Sequence, residues 1–213
     1  MQRLRLKFSR GEELKFLSHL DLMRLWERVF RRAGIPLVYS EGFTPHPQIA
    51  LASPLLVGVT SEAELMDVSL SRWVSPQSFI AQVEKQLPSG IRLLEARPVG
   101  ATVPSLQSQV KFVEYRVEVE AQEERRDVEK AVQNLLSLKE LPWHHDRDTG
   151  TRHYDLRALV DSLQLTDCRD FVCVLNMRLR CDELGAGRPE QVTKALGFKK
   201  RPKSIHRTNL ILG

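Results

Sequence analysis

"RLRLKFSRGEELKFLSHLDLMRLWERVFRRAGIPLVYS", residues 3 to 40, decides the fold class. Its opening, "RLRLKFSR" at 3 to 10, alternates charged and apolar residues with period two, the signature of a half-buried strand. "GEELKF" then turns the chain, and a helix follows between two marked ends. Ser18 stands at the N-cap position, and Asp21 sits three residues on, where a capping-box acid belongs. Leu22, Leu25, Trp26, Val29, Phe30 and Ala33 recur at helical spacing and form one apolar face. Gly34 stops the helix, and Pro36 prevents its resumption. Arg24, Arg28, Arg31 and Arg32 gather on the opposite face as a basic ridge.

Working outward, "IPLVYS" reads as a short strand, "QIALASPLLVGV" as extended and buried, and "AELMDVSLS" as a further strand. "SPQSFIAQVEKQLP" is a second helix, with Ser75 as cap and Pro76 at its first position, and "IRLLEARPV" closes as a strand. Strand, helix, strand, strand, helix, strand is the ferredoxin-like order. The polar run 101–109 reads as a linker, after which the order partly recurs. "VKFVEYRVEVE" is a strand, "EERRDVEKAVQNLLSL" an amphipathic helix, and "ELPWHHDRDTGTRHYDL" a hairpin turning at Asp148–Gly150. "RALVDSLQL" is a short helix or an irregular crossing; "DFVCVLNMRLR", "RPEQVTKALG" and "SIHRTNLIL" are strand, helix and strand. The expected architecture is therefore α+β: two tandem ferredoxin-like (βαββαβ) units with antiparallel sheets, over 1–100 and 110–213.

The chain has 213 residues and a net charge of +5, unevenly spread. Residues 1–32 hold nine lysines and arginines against four acids, and residues 188–213 hold seven against one, while the stretch between is acidic. Two basic ends meeting on one surface would suit phosphate or an acidic partner. No apolar run approaches the roughly 20 residues that span a bilayer, and the N-terminus lacks the apolar core of a signal peptide. Cys168, Cys173 and Cys181 lack CxxC spacing and read as reduced space-fillers, so a cytoplasmic setting is expected.

The 55 residues from Phe16 to Leu70 carry a more specific signal: "FLSHLDLMR", "RRAGIPLVYSEGF", "PHP" and "PLLVGVTSEAELMDV". Weaker marks follow in "DLR" at 155–157 and "HRTNL" near the end. In these the chain resembles the radical-SAM-associated family of uncharacterised bacterial proteins, the domain of unknown function numbered 2344. In that family the domain is often fused behind, or encoded beside, a radical SAM protein with a cobalamin-binding region, among ribonuclease and ribosomal genes. The resemblance implies a radical SAM partner and, by its gene neighbours, RNA. This chain has no CxxxCxxC motif. The iron–sulfur cluster, S-adenosylmethionine and cobalamin are therefore expected on a separate chain.

Candidate site residues fall in three groups. "YSEGFTPHP" holds Glu41, Gly42, Phe43 and His46 in a proline-stiffened loop. His46 reads as a general acid/base, a phosphate contact, or a histidine bonded to loop carbonyls. Gly42 is expected at positive φ, and Phe43 as an anchor or a stacking face. His19 opens the first helix, where backbone amides favour an anion. The third group is basic: the four helix arginines, with Lys199, Lys200, Arg201, Lys203 and Arg207 near the C-terminus, placed to follow a phosphate backbone or dock an acidic protein. "WHHDRDTGTRH" resembles a metal cluster, but adjacent histidines on a strand point to opposite faces. His145 and His153 across the hairpin would supply two ligands, where zinc takes three or four; no metal is expected. Arg157 reads as a structural residue, paired with Asp155 or Asp161.

No complete nucleophile, base and orienter set is present, nor a phosphate-binding glycine loop. The sequence thus points to a non-catalytic accessory module that binds RNA or a radical SAM partner through basic surfaces. The alternative is an RNA-processing enzyme like the tandem ferredoxin-like repeat processors of CRISPR systems, with His46 as acid/base, an analogy of fold alone. Oligomeric state stays open.

Overall fold

The computed structural model describes residues 1–122, 124–147 and 150–213. The chain divides into two compact units, 1–110 with 213 and 111–212. Both are mixed α+β with antiparallel strand pairing.

The first unit runs β1 (Gln2–Arg10), α1 (His19–Arg32), β2 (Ile49–Leu51), β3 (Thr60–Leu70), α2 (Pro76–Glu84) and β4 (Ile91–Val99). Its sheet order is β4-β1-β3-β2, every pairing antiparallel. The ends of α1 are those its sequence marks: Ser18 Oγ accepts from the Asp21 amide at 3.2 Å, and Gly34 takes φ 65° just past the helix. Leu22, Trp26, Val29 and Phe30 turn inward, where Trp26 meets the Phe8 ring edge-on at 4.9 Å and stacks on Phe30 at 5.2 Å. Burial of rings of this size supplies roughly 1.5–3 kcal/mol each, so this cluster is the thermodynamic centre of the unit.

Three expectations change here. "IPLVYS" forms no strand of its own; Leu37 and Tyr39 make single bridges, to Leu70 and Pro47. Of "QIALASPLLVGV" only Ile49–Leu51 is strand, because the loop beyond is gathered instead around a buried guanidinium. Arg10 donates to the carbonyls of Leu56 and Val59 at 2.9 and 2.6 Å, and to those of Lys15 and Leu17 at 3.4 and 3.3 Å. The expected linker at 101–109 belongs to the first unit: α3 (Leu106–Gln109) buries Leu106, and Arg3 ties Gly100 and Val103 by their carbonyls. Polarity suggested a free segment, but Arg3 holds its backbone.

The second unit runs β5 (Val110–Glu120), α4 (Arg125–Ser137), β6 (Pro142–Arg147), β7 (Gly150–Asp155), β8 (Val160–Arg169), β9 (Val172–Asp182), β10 (Gly185–Ala186), α5 (Pro189–Ala195) and β11 (Ser204–Leu212). In its sheet β9 pairs with β5, β8 and the short β10, and β11 lies along β5. β6 and β7 pair only with each other; the expected turn between them falls at 148 and 149, outside the described residues. "RALVDSLQL" is neither helix nor crossing beyond one turn at Arg157–Leu159: its remainder is β8, because hydrogen bonding to β9 overrides an ambiguous local pattern. The Arg157 guanidinium donates to the carbonyls of Leu136 and Val160, and it is the backbone amide of Arg157 that meets the Asp155 carboxylate, at 2.9 Å.

The two-residue turn between β8 and β9 also sets Cys168 opposite Cys173, with Cα atoms 4.0 Å apart, and the two are joined in a disulfide. The reading of all three cysteines as unbonded fillers is therefore corrected: among the described residues, Cys181 is the cysteine outside a disulfide.

In the first unit, β1 is buried on its polar face as well. Arg5 and Asp67, nearly solvent-free, form a two-pronged ion pair at 2.7 and 3.0 Å. Asp67→Ala strands the guanidinium, and urea unfolding is expected to show a loss of about 3 kcal/mol. The pair replacement Arg5→Met with Asp67→Leu is expected to recover most of it.

Candidate functional site

The sequence candidates fall into separate neighbourhoods. In the first unit, Ser40 and Tyr39 close a loop against His46 and Pro47. Ser40 N donates to the His46 carbonyl at 2.8 Å, and His46 N donates to Ser40 Oγ at 3.0 Å. Glu41, Gly42 at φ 119°, and Phe43 form the exposed tip, so Phe43 is no core anchor. His46 is held by its backbone, while its ring projects to solvent and bonds none of the described residues. A base needs an orienting partner, and none of the described residues supplies one.

His19 is exposed at the start of α1, and no hydrogen bond joins it to His46 among the described residues. Ser18 and Asp21 cap the helix, with Ser18 Oγ 2.7 Å from Asp21 Oδ2. Arg24 leans on Asp21 at 3.6 Å, whereas Arg28, Arg31 and Arg32 stand exposed and unpaired among the described residues. The ridge read from sequence is therefore a surface of the first unit, but a single sign of charge on one helix face is all it offers.

In the second unit, β6–β7 register sets His144 opposite His153 and His145 opposite Arg152, correcting the expected His145–His153 pair. Alternation across an antiparallel ribbon leaves those two histidines on different faces.

The basic C-terminal group splits. Arg207 is 2% exposed and corrects its reading as a binding residue. It follows the period of β11 inward beside Ile205, and its Nη2 lies 3.3 Å from the Tyr115 hydroxyl, with the guanidinium over the ring. Lys199, Lys200, Arg201 and Lys203, by contrast, are exposed on the loop between α5 and β11. Gly197 at φ 99° ends α5 and releases that loop, and Lys203 N fastens its far end to the Glu118 carbonyl at 2.8 Å.

Three of these lysines line a cavity of about 620 Å³ together with Phe198, the end of β5 at Glu120–Gln122, and the β8–β9 turn. That turn brings a residue that sequence reading missed. Phe171 is 77% exposed and lies on the same cavity as Lys199, Lys200 and Lys203. Asp170 and Phe171 both take positive φ, 48° and 60°, which is the turn geometry that suits the twist of a two-residue hairpin. Glycine or asparagine normally occupies such positions; a side chain with a Cβ costs roughly 1–2 kcal/mol in that conformation. A solvent-facing phenylalanine held there is a feature maintained against local stability. The sequence signal was "RDFV" set between two strands, legible as a two-residue turn once β8 is recognised.

Electrostatics sharpen the picture. Lys200 Nζ lies 2.5 Å from Glu120 Oε2. That hydrogen bond and charge, with a smaller contribution from Lys203, hold the Glu120 carboxyl below the ordinary glutamate range despite some opposing desolvation. Lys199 and Lys203 make no side-chain contact with a carboxylate among the described residues. The arrangement offers fixed cations beside an aromatic face, a combination suited to phosphates and stacked bases.

Among solved structures, the chain is similar to the Cbf5–Nop10–Gar1 complex, with TM-score 0.52 and 8% identity over 98% of this chain and 48% of that one. It is also similar to an H/ACA RNP bound to a substrate RNA containing 2′-deoxyuridine, with TM-score 0.48 and 8% identity over 97% and 46%. The chain spans about half the length of these two structures. At such identity the first likeness is one of fold alone, and the second carries no argument. No curated protein matches the sequence. The family described as an uncharacterized protein conserved in bacteria (DUF2344) matches residues 3–189, and the chain belongs to that family.

Proposed function

We propose that this chain is a non-catalytic accessory module that holds single-stranded RNA on the lysine loop of its second unit and works with a separate radical SAM protein of the cobalamin type. The single observation that carries the RNA reading is Phe171, exposed in a left-handed turn beside Lys199, Lys200 and Lys203. Lysines alone serve any polyanion; an aromatic ring fixed beside them adds a surface that stacks bases. Phe198, half-buried in the same cavity, gives a second ring. The partner reading rests on the sequence resemblance, with cluster, S-adenosylmethionine and cobalamin on the partner chain. The exposed Arg28, Arg31 and Arg32 of α1 serve in this reading as the docking ridge for that partner.

The fold reading we favour is finer than α+β. The first unit has the βαββαβ order, and the second has it too once the β6–β7 ribbon and the two-residue β10 are treated as insertions, leaving β5, α4, β8, β9, α5 and β11. On this reading the RNA surface lies where strand ends and connecting loops of one unit converge, the part of such a scaffold freest to carry binding residues.

Fluorescence anisotropy with a short unstructured RNA is the decisive measurement. Replacing Lys199, Lys200 and Lys203 by Gln together is expected to weaken binding and to flatten the plot of log affinity against log salt by about 2 in slope. Unchanged affinity and slope would remove the RNA reading. Phe171→Gly separates recognition from folding: it relieves the turn, raising stability by up to about 1 kcal/mol, while RNA affinity falls about tenfold through loss of stacking.

Glu120 competes with phosphate for Lys200. Its carboxyl is shifted down, so the ion pair is complete above the ordinary glutamate range and is lost only as pH falls through the lowered value. RNA affinity is therefore expected to rise on acidification, whereas Glu120→Gln binds about fivefold tighter at neutral pH and loses that pH dependence in the same titration.

A further inference from the structure

A second cavity of the same unit, about 260 Å³, lies between the β6–β7 ribbon and the β9–β10 end of the sheet. Its polar wall carries His145, Arg152, Arg180 and Arg188, and its apolar wall carries Leu159 and Leu184. Arg152 and Arg188 are placed against a histidine rather than against acids. His145 and Arg152 are direct cross-strand partners, and Arg188 Nη1 lies 3.4 Å from His145 Nε2. Arg180 has its carboxylate, Asp182, at 3.1 Å. Arg152 and Arg188 have none among the described residues, and the Asp155 carboxylate on this wall is committed through Oδ1 to the amides of Leu141 and Arg157.

A further polar group is left open on the same wall. Gln191 Oε1 is buried and accepts no hydrogen bond from the described residues. A buried acceptor left without a donor is costly, so the pocket presents unfilled demand of two kinds: negative charge for the arginines and an N–H or O–H for the glutamine. Its volume is just below the range of about 300–1,000 Å³ for small-molecule sites, which suits one small metabolite and not a chain.

We propose that this cavity binds a small phosphate monoester bearing hydroxyl groups, of the size of a sugar phosphate or a nucleoside monophosphate. Arg152 and Arg188 clasp the phosphate beside His145, a ligand hydroxyl donates to Gln191 Oε1, and the sugar packs on Leu159 and Leu184. Arginine suits this task because its planar fork meets two phosphate oxygens at once. The site uses none of the lysines or phenylalanines of the RNA surface and stands independently of that reading.

Isothermal titration calorimetry of the full chain with ribose 5-phosphate, adenosine monophosphate, inorganic phosphate and ribose tests it. Saturable binding of at least one of the two esters is expected, tighter than inorganic phosphate, with ribose silent. The double variant Arg152→Gln with Arg188→Gln is expected to lose at least tenfold in ester affinity while its thermal midpoint is kept or raised. Gln191→Leu is expected to weaken the esters and leave inorganic phosphate unchanged. Absence of saturation by both esters at millimolar concentration overturns the proposal. So does binding that survives the arginine variant, or that disappears instead when Lys199, Lys200 and Lys203 are replaced by Gln.

Discussion

The second unit depends on two residues in left-handed conformation. Asp170 and Phe171 make the turn that fixes the register of β8 on β9, and β9 is the strand from which β5, β8 and β10 all take hydrogen bonds. In a ribbon with a side-chain period of two, a slip of one residue would turn Leu175, Met177 and Leu179 out of the core. The same register sets Cys168 against Cys173 and lifts Phe171 over the lysine-lined cavity. The register of the sheet and the placement of Phe171 thus share one constraint, the turn at Asp170 and Phe171.

Buried arginines perform much of the tying elsewhere. Arg10 holds two loops of the first unit through four carbonyl groups, and Arg157 joins the end of α4 to the start of β8. Arg207 lies over Tyr115 in the core of the second unit. Each guanidinium offers five donors in a plane, so it satisfies several backbone carbonyls that no helix or sheet can reach. In a chain with many basic residues, net charge is thereby a poor measure of the charge available to a ligand. The exposed lysines and arginines form the smaller and more informative set.

The loop of His46 illustrates the opposite case. Its prolines and the Ser40 contacts hold the backbone, but the described surroundings give the imidazole neither an orienting acid nor a shielded site. General acid–base work requires a positioned proton path; the His46 ring stands exposed at the closing end of the loop. Phe43, fully exposed beside it, belongs to the same surface.

Local sequence determined a good deal. Ser18, Gly34, Ser75 and Pro76 announce the ends of α1 and α2, because caps and breakers act within one helical turn. Alternation in residues 3–10, 110–120 and 172–182 announces β1, β5 and β9, since a strand with one buried face writes its period into its residues. The lysines of 199–203 are legible as surface because nothing apolar interrupts them. Tertiary structure alone decided the rest. β8 became a strand through its partner, residues 101–109 became ordered through Arg3, and Arg207 left the binding set by facing the core. Phe171 joined the lysines, and Arg188 joined His145 and Arg152, across 28 or more residues of sequence. Such meetings depend on hydrogen bonds and packing between distant segments, and no local pattern of residues encodes which distant segment will arrive.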